Sequence, residues 1–216
     1  KAGDSSAPGH GVARISLWTL EHARTEPDGA AVVRLGLAPD GSARPDLLGT
    51  LGLAFEVRFG AVLSMALTVT NRGGAPATFE EALHTYFAVG DVRRASVAGL
   101  QGATYLDKVD GGARKTQSDA LVAVAGETDR LYLDTEAAIT LSDPMLGRRI
   151  RVSKTGSRSS VVWNPWVAKS RAMPDFGDDE WPGMICIETA NAAANAVTLP
   201  GHASHRMTAV ISVAAD

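Results

Sequence analysis

The chain has 216 residues, of which 45% are hydrophobic and 21% are charged, and its formal net charge is -3. This length suits one large domain with a full core, and no apolar run approaches the roughly 20 residues that a membrane-spanning helix needs. The 21 Lys and Arg residues against 24 Asp and Glu residues give no bulk positive field to attract nucleic acid or an anionic membrane. The N-terminus also has no signal-like pattern, so we expect a soluble, cytoplasmic protein. We further expect a monomer with a flexible segment at residues 1–12 and a single domain over residues 13–216.

Alternating apolar and polar residues, interrupted by Gly, Asn and Asp, predict strands and hairpins along the chain. The first pair of strands is predicted at residues 13–21 and 31–37. The clearest hairpin covers residues 52–71, where LAFEVRF and VLSMALTVTN flank a Gly-Ala connection. A turn is predicted at residues 71–74.

The next predicted strand, residues 82–89, has the sequence ALHTYFAV and carries His84 in its middle. Alternation places His84, Tyr86 and Ala88 on one face of this strand. A hydrogen-bonded core histidine is the simpler interpretation of His84, since histidine is intermediate in its tendency to be buried. Histidine is also the side chain that titrates near neutrality, so a catalytic role stays open.

Shorter stretches complete the predicted β-structure: residues 95–98, 121–125, 130–132, 138–142, 149–153, 160–163 and 206–213. Together with the earlier strands they predict an all-β protein with two large packed antiparallel sheets. Residues 165–173 begin at Pro165 and are followed by Pro174. Because prolines break helices, we interpret this stretch as a loop with a helical turn.

The segment 161–188 contains three of the four Trp residues and a cluster of acids, and it ends in the apolar run MICI followed by Glu188. We predict a buried strand at residues 184–187 with Glu188 at its end. A carboxylate in this position lowers the stability of the fold unless it is paired, is exposed or takes part in a reaction. Cys186, the single cysteine, is interpreted as a buried, inert thiol. A histidine and a glutamate on strands, beside an aromatic, acid-rich loop, suggest a general acid facing a general base.

Three further residues are candidates for ligand contacts. His10 and Arg14 lie in GHGVAR, where an Arg fork can hold a phosphate, although an exposed Arg beside a flexible tail is the simpler interpretation. Asp107 follows a Gly-rich connection and has two equally acceptable roles, an acceptor for sugar hydroxyls and a turn-capping residue.

Other polar and aromatic groups have simpler explanations. Trp163 and Trp166 fit either an apolar platform for a sugar ring or the core. The acids at positions 175, 178 and 179 lack the spacing of a calcium loop, and His202 with His205 lacks a nearby acid, so we expect no metal site. Motifs for nucleotide binding and for serine hydrolases are absent from the sequence.

Four segments in order, EALHTYFAVGDV, GLQGATYLD, WNPWVAKSRAMPDFGDDEW and MICIE, together resemble the hexose-6-phosphate mutarotases (glucose-6-phosphate 1-epimerases) of the galactose-mutarotase-like superfamily. The similar segments run from residue 10 to about residue 213. The resemblance implies a β-supersandwich with the sugar across a concave sheet, no metal and no organic cofactor. It implies an isomerase that interconverts the α and β anomers of a phosphorylated hexose.

The same resemblance implies roles for individual residues. The catalytic His and Glu of the family fall on His84 and Glu188, and its HGFAR-like segment falls on residues 10–14, where Arg14 would supply positive charge for the phosphate. Family members carry several strands before that segment, and we expect this chain to lack them. A non-catalytic carbohydrate-binding module is the alternative function, and a glycoside hydrolase is a third, which normally needs two carboxylates at a defined separation.

Overall fold

A computed structural model describes residues 8–215, and the chain in this range is mainly β-structure. The strands are β1 (Thr19–Thr25), β2 (Ala31–Leu37), β3 (Leu51–Phe59), β4 (Leu63–Asn71), β5 (Ala77–Phe79), β6 (Glu81–Leu83), β7 (Tyr86–Ala88), β8 (Ser96–Ala98), β9 (Thr104–Asp107), β10 (Ala113–Thr116), β11 (Leu121–Ala123), β12 (Thr128–Leu133), β13 (Ile139–Asp143), β14 (Arg148–Thr155), β15 (Ser159–Asn164), β16 (Met184–Asn191), β17 (Val197–Leu199) and β18 (Ser204–Ala215). The α-helices in this range are α1 (Pro45–Leu48) and α2 (Trp166–Ala172), and short 3-10 helices cover Ala13–Ile15, Pro39–Gly41, Trp181–Gly183 and Ala193–Asn195. None of the helices in residues 8–215 combines the length and the apolar character needed to cross a membrane.

The described residues divide into two compact units. Unit 1 contains residues 8–79 and 198–207, and unit 2 contains residues 80–197 and 208–215. The expectation of a single domain over residues 13–216 stays a prediction, and residues 1–7 of the expected flexible segment lie outside the described residues.

Unit 1 is built on antiparallel strands in the order β1, β2, β3, β4 and the first residues of β18. The predicted hairpin is confirmed, since Leu51 pairs with Asn71 and Phe59 pairs with Leu63 across β3 and β4. The strand predicted at residues 13–21 is wrong over residues 13–18, because β1 begins only at Thr19. There, Ser16 Oγ and Trp18 Nε1 donate hydrogen bonds to the backbone carbonyl groups of Val12 and Ala13, and these local bonds compete with an extended conformation.

Unit 2 contains strands of two antiparallel sheets. One has the order β18, β14, β13, β8, β11, and the other has the order β10, β9, β12, β15, β16, β6, with β7 also paired to β16. The side chains of Val97 and Leu141 in the first sheet and of Tyr132 and Val162 in the second are completely buried. These apolar inner faces form the core of the unit, and the prediction of an all-β fold with large antiparallel sheets is confirmed.

Strand β16 lies between β15 on one side and β6 and β7 on the other, and all eight of its residues are buried. The prediction that the strand ends at Glu188 is wrong, because Thr189, Ala190 and Asn191 continue the pairing with β6. The polar end of the strand is accommodated by hydrogen bonds, since Asn191 Nδ2 donates to Glu81 Oε1 and to the carbonyl oxygen of Gly156, both at 2.8 Å. Glu188 therefore lies inside the sheet.

The predicted strand around His84 is divided into β6 and β7, with His84 and Thr85 between them. The two parts keep one register on β16, since Leu83 pairs with Thr189 and Tyr86 pairs with Cys186. This register places His84 opposite Glu188. The predicted alternation also holds, because His84 and Tyr86 are exposed whereas Leu83 and Phe87 are buried.

Candidate active site

The site lies on one face of the second sheet of unit 2. Glu188 pairs with Val161 across β15 and β16, and Cys186 pairs with Trp163. Because residues opposite each other in an antiparallel pair project to the same side, this face carries Glu188, Cys186 and Trp163, with His84 beside Glu188 on the next strand. The structure thus brings together the two residues that the sequence predicted as an acid–base pair.

The imidazole of His84 is in contact with both polar groups of β16. Its Nε2 atom is 3.3 Å from Glu188 Oε1, and its Nδ1 atom is 3.8 Å from Cys186 Sγ. The side chain of His84 is 32% exposed and that of Glu188 is 8% exposed. Solvent therefore reaches the histidine, while the carboxyl group is enclosed by the sheet.

Burial changes the proton affinity of the carboxyl group. Removal from water raises the pKa of Glu188 to about 7, and the negative charge of Asp129 adds to the effect. A carboxyl group with such a pKa exchanges protons readily near neutral pH, which is what a general base requires.

Cys186 is not suited to nucleophilic chemistry. Burial, with a contribution from Glu188, raises the pKa of its thiol well above the ordinary range. Since the thiolate is the reactive form of cysteine, this supports the interpretation of an inert thiol.

Asp129 is a candidate site residue that the sequence analysis missed. It pairs with Trp163 across β12 and β15, so it lies on the same face as Glu188. Burial raises its pKa, while Lys169, whose Nζ atom is 3.8 Å from Asp129 Oδ2, acts in the opposite direction. The strand predicted here began at residue 130, one position after Asp129, and only the pairing register shows which face Asp129 occupies.

An aromatic cluster borders the pair. The ring of Tyr86 stacks on His84, and Trp163 meets both rings edge-on at centroid distances of 6.0 and 6.1 Å. Trp163 is only 8% exposed, which favours the core interpretation over a sugar platform, and Trp166 packs instead on Trp181.

An open cleft of about 450 Å³ continues from this cluster. Its walls carry both apolar and acidic side chains. The lining residues are Tyr86, Phe176, Asp179, Glu180, Gly183 and Met184. Tyr86 links the cleft to the pair, because its ring lines the cleft and also stacks on the imidazole of His84.

Asn164 holds the aromatic, acid-rich loop against this sheet. Its Nδ2 group donates to the carbonyl oxygens of Trp181 at 2.8 Å and Met184 at 2.9 Å, and its Oδ1 accepts from the backbone N–H of Trp166. The buried amide thus joins both ends of the loop to the start of β16.

The structure does not bring Asp107 to the pair. Its Oδ2 atom is 2.8 Å from Lys115 Nζ, which lowers the pKa of the carboxyl group, and its Oδ1 accepts a bond from the backbone N–H of Val109. Asp107 pairs with Arg130, and the neighbouring Asp129 points to the opposite side of β12. These contacts fit the turn-capping role, and a contact with sugar hydroxyls stays a prediction.

His10 and Arg14 belong to unit 1 and are both exposed. His10 and Gly11 have φ angles of 59° and 74°, which form the turn before the short helix Ala13–Ile15 that carries Arg14. The predicted contacts of His10 and Arg14 with a phosphorylated sugar stay predictions.

The donor atoms of His84, Cys186 and Glu188 lie within 4.8 Å of one another, and no other group of three is close enough to share a metal ion in the described part of the chain. Two members of this group, His84 and Glu188, are the residues that the sequence predicted as an acid–base pair, with Nε2 of the histidine 3.3 Å from Oε1 of the glutamate.

Comparison with known proteins shows the family of the chain. The family model described as aldose 1-epimerase matches residues 1–212. Proteins from Cenchrus ciliaris and Escherichia coli (strain K12), both named "Putative glucose-6-phosphate 1-epimerase", are 34% and 32% identical to the chain over 89% of its length. The chain spans 61% and 63% of the length of these two relatives.

The crystal structure of a protein from Salmonella typhimurium, described as a "putative mutarotase", has the same fold. It superimposes with a TM-score of 0.89 at 27% identity, and the match covers 99% of this chain and 70% of that one. The resemblance read from the four sequence segments is confirmed, as is the galactose-mutarotase-like fold. The chain belongs to the aldose 1-epimerase family.

Proposed function

We propose that the protein interconverts the α and β anomers of a hexose 6-phosphate by acid–base opening and closure of the sugar ring. The observation that carries the proposal is the contact between Glu188 and His84, with a carboxyl pKa of about 7 beside an accessible imidazole. The names of the relatives support the choice of substrate, because two of them are named for glucose 6-phosphate.

Ring opening needs one proton removed and one added. Glu188 takes the proton of the C1 hydroxyl group, while protonated His84 gives a proton to the ring oxygen, and the C1–O5 bond breaks to leave an open-chain aldehyde. Rotation about the C1–C2 bond presents the other face of the aldehyde. The ring oxygen then attacks C1, His84 takes its proton back, and Glu188 returns its proton to the oxygen on C1.

The chemistry of the other residues on this face fits a sugar substrate. Asp129 offers oxygen acceptors for hydroxyl groups, and its negative charge keeps Glu188 basic. Tyr86 and Phe176 give the cleft an apolar wall against which a sugar ring can pack. We assign the phosphate to Arg14 on the basis of the resemblance, and the cytoplasmic location and monomeric state stay predictions.

The test is a coupled assay in which a β-specific glucose-6-phosphate dehydrogenase consumes the β anomer formed from α-glucose 6-phosphate. Glu188→Gln and His84→Asn each remove one proton transfer, so each should lower the catalysed rate by roughly 100- to 10,000-fold. The partly exposed Glu26 and the exposed His202 supply matched controls, because Glu26→Gln and His202→Asn make the same chemical changes away from the site.

Wild-type rates in Glu188→Gln or His84→Asn would contradict the mechanism. A folded wild-type protein that binds glucose 6-phosphate without accelerating the reaction would instead indicate the carbohydrate-binding alternative.

A further inference from the structure

Tyr86 lies against the imidazole of His84 almost parallel to it. The two ring centroids are 5.0 Å apart and the ring planes differ by 17°. The residues are two positions apart on one face of the sheet, so the pleat of the strand places their side chains side by side. Tyr86 is 52% exposed, so one side of its ring is accessible to solvent beside the buried cluster.

The groups around His84 act on different parts of its ring. From β16, Glu188 and Cys186 face the two nitrogens at the ring edge. On β12, the negative charge of Asp129 raises the pKa of Glu188. The loop before β16 places Asp179 and Glu180 in the wall of the cleft that Tyr86 also lines. Tyr86 contacts the flat face of the imidazole, where its π-electrons meet the positive charge of a protonated ring.

We propose that Tyr86 is a positioning residue for the reaction: its ring keeps the imidazole of His84 aligned with Glu188 and stabilises the protonated imidazole. The catalytic part of this inference rests on the proposed function. The stacking itself does not, because it acts on the proton affinity of His84 with or without a substrate.

Two substitutions separate the ring of Tyr86 from its hydroxyl group. Tyr86→Phe keeps the aromatic face, whereas Tyr86→Leu keeps an apolar side chain of moderate size and removes that face. Because Tyr86 is half exposed, both variants should fold, and circular dichroism with thermal unfolding checks this.

The first measurement is an NMR titration of the His84 Cε1–Hε1 signal, assigned with His84→Asn. We expect the titration midpoint to fall by about 0.5 to 1 pH unit in Tyr86→Leu and to stay at the wild-type value in Tyr86→Phe. Repeating the series in a Glu188→Gln background removes the coupled carboxyl titration. His205, which has Phe79 as its aromatic neighbour at 6.4 Å, is an internal control whose midpoint should not change.

The second measurement is the pH dependence of catalysis. In Tyr86→Leu, we expect kcat to fall about 3- to 10-fold at pH 7.5 with little change in KM. We also expect the limb of the kcat/KM pH profile that reports His84 to shift by the same amount as the NMR midpoint. Tyr86→Phe should keep the wild-type kcat and the wild-type pH profile.

An unchanged His84 midpoint in Tyr86→Leu would overturn the inference, as would equal shifts in the Leu and Phe variants, which would assign the effect to the hydroxyl group. If the wild-type protein showed no mutarotase activity, the proposed function would fail, while the NMR titration would still decide whether the ring acts on His84.

Discussion

Residues 84 and 188 are 104 positions apart in the chain, yet Nε2 of one lies 3.3 Å from Oε1 of the other. The sequence predicted both residues because a histidine and a glutamate are conspicuous among the apolar residues of strands. It did not predict how they meet, since the contact depends on the shared register of β6 and β7 on β16. Asp129 shows the same limit, because its role follows from pairing with Trp163 and not from its neighbours in sequence.

Arg14 is the residue whose predicted role can be tested most directly. An Arg that binds the phosphate equally in the ground state and the transition state contributes uniform binding, so its loss raises KM and leaves kcat almost unchanged. We expect Arg14→Ala to raise the KM for glucose 6-phosphate by at least about 10-fold, since a hydrogen bond to a charged group contributes roughly 1.5–3 kcal/mol.

Steady-state kinetics with glucose 6-phosphate and free galactose would check this prediction. Arg151→Ala, a change at an exposed position of β14, is the matched control. A loss of the same size with galactose would show that Arg14 does not recognise the phosphate.

The elements that surround the site were predicted with unequal success. The hairpin of β3 and β4 followed from simple alternation, whereas the interruption between β6 and β7 did not, because LHTYF keeps an alternating pattern through the break. Residues 165–173 were predicted to be a loop with a helical turn, whereas in the structure seven of these residues form the helix α2. Asn164 fixes this loop, and its contacts could not be read from the pattern because they join residues that are up to 20 positions apart.

Substitution of Asn164 tests how this loop is held against the sheet. Asn164→Ala leaves the carbonyl groups of Trp181 and Met184 without their buried donor, which should lower the free energy of unfolding by roughly 1–3 kcal/mol. Urea unfolding measures this, with Asn195→Ala as a control for loss of a buried Asn elsewhere in the unit. We expect only Asn164→Ala also to weaken sugar binding, because only Asn164 holds the loop that lines the cleft. Equal effects of both variants on binding would contradict this role.

At the scale of the whole molecule, the buried carboxyl group makes stability depend on pH. The pKa of Glu188 is raised from an ordinary 4.5 to about 7, so between these values the folded state binds more protons than the unfolded state. The stability that comes from protonated Glu188 is therefore fully present below pH 4.5 and is lost as pH rises through 7.

Glu188→Gln should remove this dependence. We expect the variant to gain about 1–3 kcal/mol of stability over wild type at pH 8 and to gain little at pH 4.5. Chemical denaturation at the two pH values measures the difference, and Glu26→Gln, a change at a partly exposed acid, should show no such gain. A gain of the same size at both pH values would indicate a packing effect instead of a protonation effect.

Cys186 gives the protein a built-in chemical probe. It is the single thiol of the chain, it is completely buried, and its Sγ atom lies 3.8 Å from Nδ1 of His84. A thiol reagent can reach this atom only when the residues that cover it move. The rate of alkylation therefore measures how often the structure around Cys186 opens, next to the proposed acid–base pair. A bound sugar should lower this rate in proportion to its occupancy.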